Sequence, residues 1–336
     1  MPKRCLSILL LALVATALTA SLAEAQAACH WPCNNDREFG INIDSPTFNA
    51  TRFSRAAEAG IDVVRLWAWW KWMEPQRHNI DFSSLDAQVT QAKNQGLSIM
   101  ITFVSIPNWA NGSPAGCNFW NGECSAPPND PTYFREFVTA VVQRYLGRVR
   151  YYGIWNEPNL TVFWDGPFSQ YISDILVNGA QAVKAADPCT KVVGPDIYDS
   201  HGRFQTVLSQ ACSSLDILSI HLYTSTAATL FNRITNRYDP VIQSTGCQKP
   251  LWVTEFGIDS GVSGESQQAT EYTAAYSGTH DRSDVAAMFL YRIDDHEASS
   301  GPDFGLVTSL PEGFTRKPSF WAVQSYLSTI GRLCLK

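Results

Sequence analysis

The feature that most constrains this chain is a strict alternation. Short β-branched or apolar runs recur eight times, and an amphipathic stretch follows each one. The runs are 38–44, 62–69, 97–104, 150–157, 191–197, 215–223, 250–257 and 286–294. Helix-period segments fall at 51–60, 83–95, 131–146, 168–186, 201–213, 227–244, 267–279 and 318–330. Pro131 opens one of these and Asp187-Pro188 closes another, as helix punctuation requires. Strand alternating with helix implies a parallel sheet. Eight such units without a repeat, linker or low-complexity break predict a closed (β/α)8 barrel, a TIM barrel in one α/β domain. A doubly wound open sheet is the alternative, but no Gly-rich dinucleotide turn follows any strand.

The start of the chain reads differently. Pro2-Lys3-Arg4 is a short basic stretch, residues 5–20 are uncharged and apolar, and Ala23-Glu24-Ala25 offers a small-x-small cleavage site. This pattern predicts a signal peptide over 1–25, a catalytic domain over 26–336, and a secreted or periplasmic protein. The apolar run is short for a membrane anchor, so no membrane association is expected once the leader is cut. Of the nine cysteines, Cys5 falls in the leader. The rest (Cys29, Cys33, Cys117, Cys124, Cys189, Cys212, Cys247 and Cys334) form an even set that implies disulfides in an exported chain. Cys117–Cys124, closing NFWNGE, is the pairing expected; the others stay open. None has Cys-x-x-Cys spacing, which argues against zinc. Three glycosylation sequons begin at Asn49, Asn111 and Asn159 and matter only in a eukaryotic host.

A formal charge of −6 has the wrong sign for steering nucleic acid or an acidic membrane surface. Twelve Tyr and 17 Phe are compatible with a core, but 11 Trp is more than packing usually uses and points to rings that stack on sugars or bases. In a barrel, chemistry sits at strand C-termini. There the fourth run ends in Trp155-Asn156-Glu157-Pro158, the seventh in Thr254-Glu255-Phe256-Gly257, and the sixth in His221-Leu222-Tyr223. Glu157 and Glu255 are acids in apolar strands, where burial without a purpose is costly. Two carboxylates on one rim suggest glycosidic bond cleavage: one protonates the leaving oxygen and the other stabilises or attacks the anomeric carbon.

With GIWNEPN and a downstream LWVTEFG in place, the chain resembles the clan A retaining glycoside hydrolases. The longer WNEPNLTVFW (155–164) and the segment 291–322 are similar to glycoside hydrolase family 39, which includes β-xylosidases and α-iduronidase. The resemblance implies Glu157 as acid/base, Glu255 as nucleophile, Asn156 on the substrate 2-hydroxyl, Tyr223 hydrogen-bonded to the nucleophile, and Arg65 keeping it ionised. Tyr291 stands where many relatives carry Trp on strand 8. No cofactor or metal is implied, and the protein is expected to act as a monomer. The accessory β-domain of exo-acting members has no counterpart here, so endo-action on a β-linked polysaccharide or oligosaccharide is expected. An exo-β-glycosidase such as a β-xylosidase, and a non-catalytic carbohydrate-binding protein, are the alternatives.

Several further residues are open to two readings. His221 is either a satisfied core histidine or a substrate or nucleophile-side contact. Trp67 and Trp69 alternate along a strand and so share a face. Trp109 and Trp164 fall in predicted rim loops, where an exposed indole is expected to stack on a sugar. Asp294, Asp295, His296 and Glu297 look like metal ligands, but as consecutive loop residues they are expected to be a solvated acidic loop.

Overall fold

A computed structural model describes residues 38–45, 48–297 and 301–330. The expected leader and Cys29, Cys33 and Cys334 lie outside these residues. Eight parallel strands close into a barrel in chain order, β1 pairing with β8 as well as β2. The strands are β1 Glu38–Asn42, β2 Val63–Trp69, β3 Ser98–Val104, β4 Tyr151–Ile154, β5 Lys191–Tyr198, β6 Ile217–His221, β7 Leu251–Phe256 and β8 Val285–Leu290. The outer helices are α1 Ala50–Glu58, α2 Ser83–Asn94, α3 Pro131–Arg144, α4 over 168–186, α5 His201–Ala211, α6 over 227–245, α7 Glu265–Asp281 and α8 Pro318–Thr329. Both α4 and α6 contain a π-helical stretch, at Tyr171–Val177 and Ile234–Tyr238. Among the described residues no helix is long and apolar enough to cross a membrane.

The alternation of side chains along each strand divides the core in two. Leu66 and Ala68 on β2, with Ile99, Ile101 and Phe103 on β3, pack outward against the helices. Val63, Met100, Tyr151, Val193, Trp252 and Phe289 fill the barrel interior below the site. Gly40 is required there, because a Cβ would sit 2.3 Å from the Phe289 ring. Asp130 caps α3 by accepting from Thr132 N, with Pro131 at the first helical position. The Cys117–Cys124 disulfide is present, and Cys212 pairs with Cys247 across 35 residues. Cys189 is also disulfide-bonded.

Strand order breaks down where the site begins. β4 ends at Ile154, so Asn156 and Glu157 lie just beyond it rather than within it. Trp155 and Glu157 both have positive φ, 76° and 41°, a region that non-glycine residues enter at a cost. The β6–β7 register shifts between Ile220 and His221, which places His221 opposite Glu255.

Candidate active site

Arg65 is the hub. It is completely buried at the inner face of β2, and each of its five N–H groups has a partner. Nε donates to Thr102 Oγ1 at 2.9 Å. One terminal nitrogen donates to Asn42 Oδ1 at 2.9 Å and Glu255 Oε1 at 2.6 Å. The other donates to Asn156 Oδ1 and Asp196 Oδ2, both at 2.9 Å. Gly153 on β4 keeps this space open, since a Cβ there would lie 2.6 Å from Thr102 Oγ1. With every donor spent inside the protein, Arg65 orders the site around Glu255.

Glu255, 5% exposed, accepts from Arg65 on Oε1 and from the Tyr223 hydroxyl on Oε2 at 2.6 Å. Glu157, 8% exposed, is held through its backbone N–H on Asp196 O at 3.0 Å and through its carboxyl on His221 Nδ1 at 2.7 Å. His221 Nδ1 also lies 3.6 Å from Glu255 Oε1, so the imidazole bridges the two acids. It is a buried part of the site rather than a residue of the general core. Asn156 is oriented by giving its carbonyl oxygen to Arg65, which leaves the amide nitrogen as its donor end.

The charges of this cluster are set by one another. Burial raises the Glu255 pKa most; Glu157 adds to the rise, while His221, Arg65 and the Tyr223 hydroxyl pull it down, leaving it above the usual carboxylate value. Burial opposes charge on His221, but Glu255, Glu157 and Asp196 outweigh it and raise its pKa. Burial likewise opposes ionised Asp196, yet Arg65, His221, Ser219 and Thr254 hold its pKa below the ordinary value.

Asp196 is the member that sequence reasoning missed. Beyond Arg65 and the Glu157 backbone, it accepts from Thr254 Oγ1 at 2.6 Å. The signal was available: Asp196 is an acid in the apolar strand run KVVGPDI, the same criterion that singled out Glu157 and Glu255.

Other expected residues divide. Tyr291 adjoins Tyr223, ring centroids 5.9 Å apart, and its hydroxyl donates to Asp44 Oδ2 at 2.5 Å. Trp109 is half-buried against Trp70 and Tyr133, with its indole N–H on Glu74 O at 2.7 Å. Trp164 is buried between Trp155 and Tyr171, its N–H on Pro167 O. Both are corrections: each loop folds back on the barrel, so these indoles pack instead of facing a cleft. The acidic loop is a correction too. Asp294 is fully buried on Arg52 at 2.8 Å, and Asp295 is buried on Lys317 at 2.9 Å.

Glu157, His221 and Glu255 bring one donor atom each within 4.8 Å of one another, close enough to hold a metal ion. Two of the three are already joined at 2.7 Å, a distance that a shared proton explains. The carboxyl groups thus approach within 4.8 Å, near the spacing of about 5–5.5 Å used for retention of configuration and below the about 6.5–9.5 Å of inversion.

The closed eightfold barrel brings two carboxylates together, Glu157 just beyond strand 4 and Glu255 near the end of strand 7, the residue types that glycosidic bond cleavage uses. The chain belongs to glycosyl hydrolases family 39, whose model matches residues 74–242. It is 29% identical over 161 residues to a β-xylosidase of Geobacillus stearothermophilus, covering 44% of this chain and 31% of that one. Against mannan endo-1,4-beta-mannosidase 8 of Oryza sativa subsp. japonica it is 23% identical over 217 residues, covering 52% of this chain and 57% of the other. The chain thus spans a third to somewhat over half of the length of these relatives. The solved family 39 enzyme of Xanthomonas axonopodis pv. citri has the same fold, with TM-score 0.72 and 18% identity over 91% of this chain and 69% of that one.

Proposed function

We propose that this glycoside hydrolase works by double displacement on a β-linked polysaccharide or oligosaccharide, cleaving within the chain. The observation that carries the reading is the approach of the Glu157 and Glu255 carboxyl groups to within 4.8 Å. A Glu255 oxygen attacks the anomeric carbon while the proton of Glu157 passes to the departing glycosidic oxygen, breaking that bond and releasing an alcohol. The glycosyl ester leaves Glu255 without charge. Glu157, now a carboxylate, takes a proton from water whose oxygen attacks the same carbon and frees Glu255. Arg65 and Tyr223 act on Glu255 by donating to its two oxygens, and His221 orients the Glu157 carboxyl. Asn156 beyond β4 and Tyr291 beyond β8 are the proposed sugar contacts.

The similarity to a β-xylosidase favours a second reading, exo-action releasing single sugars. Product sizing separates the two. A panel of xylan, mannan, β-glucan and microbial polysaccharides is treated with wild type and Glu157→Ala. Oligosaccharide ladders that vanish in the variant support endo-cleavage, whereas early release of monosaccharide alone supports exo-cleavage. Binding without any product across the panel would overturn catalysis in favour of a carbohydrate-binding protein.

Export to a secreted or periplasmic location belongs to the same proposal. Its support is the leader pattern over 1–25 together with disulfides at Cys117–Cys124 and Cys212–Cys247, which persist in oxidising compartments.

A further inference from the structure

A file of aromatic rings leads from the site to solvent, and the reaction at Glu157 and Glu255 does not use it. The Arg65 guanidinium lies 4.3 Å from the Trp67 ring. Trp67 stacks on Trp69 at 5.4 Å, and Trp69 meets Trp72 at 4.6 Å and Trp120 at 6.1 Å. At the outer end Trp72 is 44% and Trp120 64% exposed. Clustered indoles left in water at the edge of a site are a binding surface more readily than a packing accident.

The outer end is fixed in place. Trp120 sits in a one-turn helix, Phe119–Asn121, inside the loop closed by Cys117–Cys124. Asn118 Oδ1 accepts from Trp120 N at 3.0 Å, and Glu123 accepts from Asn118 N at 2.8 Å. Gly122, at φ 78°, docks this loop on the segment after Glu157: a Cβ there would lie 3.0 Å from Thr161 O.

A second observation points to a ligand. The indole N–H groups of Trp67 and Trp69, both more than nine-tenths buried, have no hydrogen-bond partner. Leaving such a donor unpaired is costly. Beside them is a cavity of about 120 Å³ lined by Trp67, Trp69 and Trp72 together with the polar Asp81, Ser84 and Gln88. Apolar rings next to hydroxyl-bonding groups match a pyranose, which has C–H faces and a hydroxyl rim. A net charge of −6 disfavours the other flat ligands, nucleobases in a polyanion.

We propose that Trp72 and Trp120, backed by Trp69, form a sugar-stacking subsite that holds a ring of a β-linked glycan away from the cleaved bond. The inference rests on the glycosidase reading above and adds a chain-length dependence to it. Stacking on these rings binds substrate and transition state alike, so its loss raises KM more than it lowers kcat.

The test measures kcat/KM on β-1,4-linked xylo-, manno- and cello-oligosaccharides of increasing length, and on an aryl β-glycoside. Wild type, Trp120→Ala, Trp72→Ala/Trp120→Ala and Trp120→Phe are compared. The double variant is expected to lose about tenfold on the longest chains, mostly in KM, and progressively less as chains shorten. Trp120→Phe should recover part of the loss. Cys117→Ser/Cys124→Ser, which frees the loop, should weaken long chains in the same order. A loss equal at every length, or none, overturns the subsite. A wild-type kcat/KM that does not rise with chain length overturns it while leaving the glycosidase reading intact. A wild type inactive on all substrates would instead overturn that reading and the subsite with it.

Discussion

The Arg65 guanidinium donates to Glu255 Oε1 at 2.6 Å while its other four N–H groups are held by Asn42, Thr102, Asn156 and Asp196. A cation in that position has two consequences. It offsets part of the cost of burying Glu255, and it ties five strands to one side chain. The setting of Glu255 is therefore also a stability feature of the barrel.

Arg65→Lys should be costly for this reason. Lysine offers three donors against five partners and cannot reproduce the planar fork. Breaking a buried, charged network costs about 3–5 kcal/mol. Denaturant unfolding of the variant is expected to show a loss of that order; a loss below about 1 kcal/mol would mean that the network contributes no more than a surface ion pair.

The pH dependence follows from the Glu255 and His221 shifts. Attack requires ionised Glu255, whose pKa is raised, so the acid limb of kcat/KM should lie above the ordinary glutamate value of about 4.3. The His221 cation, favoured by a raised pKa of its own, pulls the Glu255 value down. His221→Gln removes that charge, and the acid limb should move to higher pH. An unmoved limb, or one displaced to lower pH, would show that His221 exerts no such field.

The Cys212–Cys247 disulfide closes a loop of 35 residues that includes β6 and all of α6. Cross-linking a loop of this size stabilises by about 2–4 kcal/mol. Cys212→Ala/Cys247→Ala should lower the unfolding free energy by that amount while leaving activity at the distant rim close to wild type. Unchanged stability would assign the bond no structural weight.

Much of this was legible in the chain because period and burial leave local marks. The expected helix 83–95 is observed as Ser83–Asn94, and the run 62–69 as Val63–Trp69. Glu157 and Glu255 stood out because an acid in an apolar strand needs a partner. Asp196 obeyed the same rule and was passed over, since no recurrent motif surrounds it. Loop paths left no comparable mark. Trp109 and Trp164 pack inward, whereas Trp72 and Trp120 face water. That difference is decided by contacts with Glu74, Tyr133 and Tyr171, distant in sequence or dependent on how the loop turns. The acidic run 294–297 misled for the same reason, its partners Arg52 and Lys317 being supplied by other elements.

The most direct test of the account is to trap the glycosyl-enzyme. The protein is incubated with 2-deoxy-2-fluoro-β-glycosides bearing a good leaving group, in the xylo, manno and gluco series, then digested and mapped by mass spectrometry. Double displacement predicts one sugar attached per chain, on the peptide bearing Glu255, and no adduct in Glu255→Ala. Turnover by the wild type that releases a product of inverted configuration, or an adduct on Glu157, would contradict it.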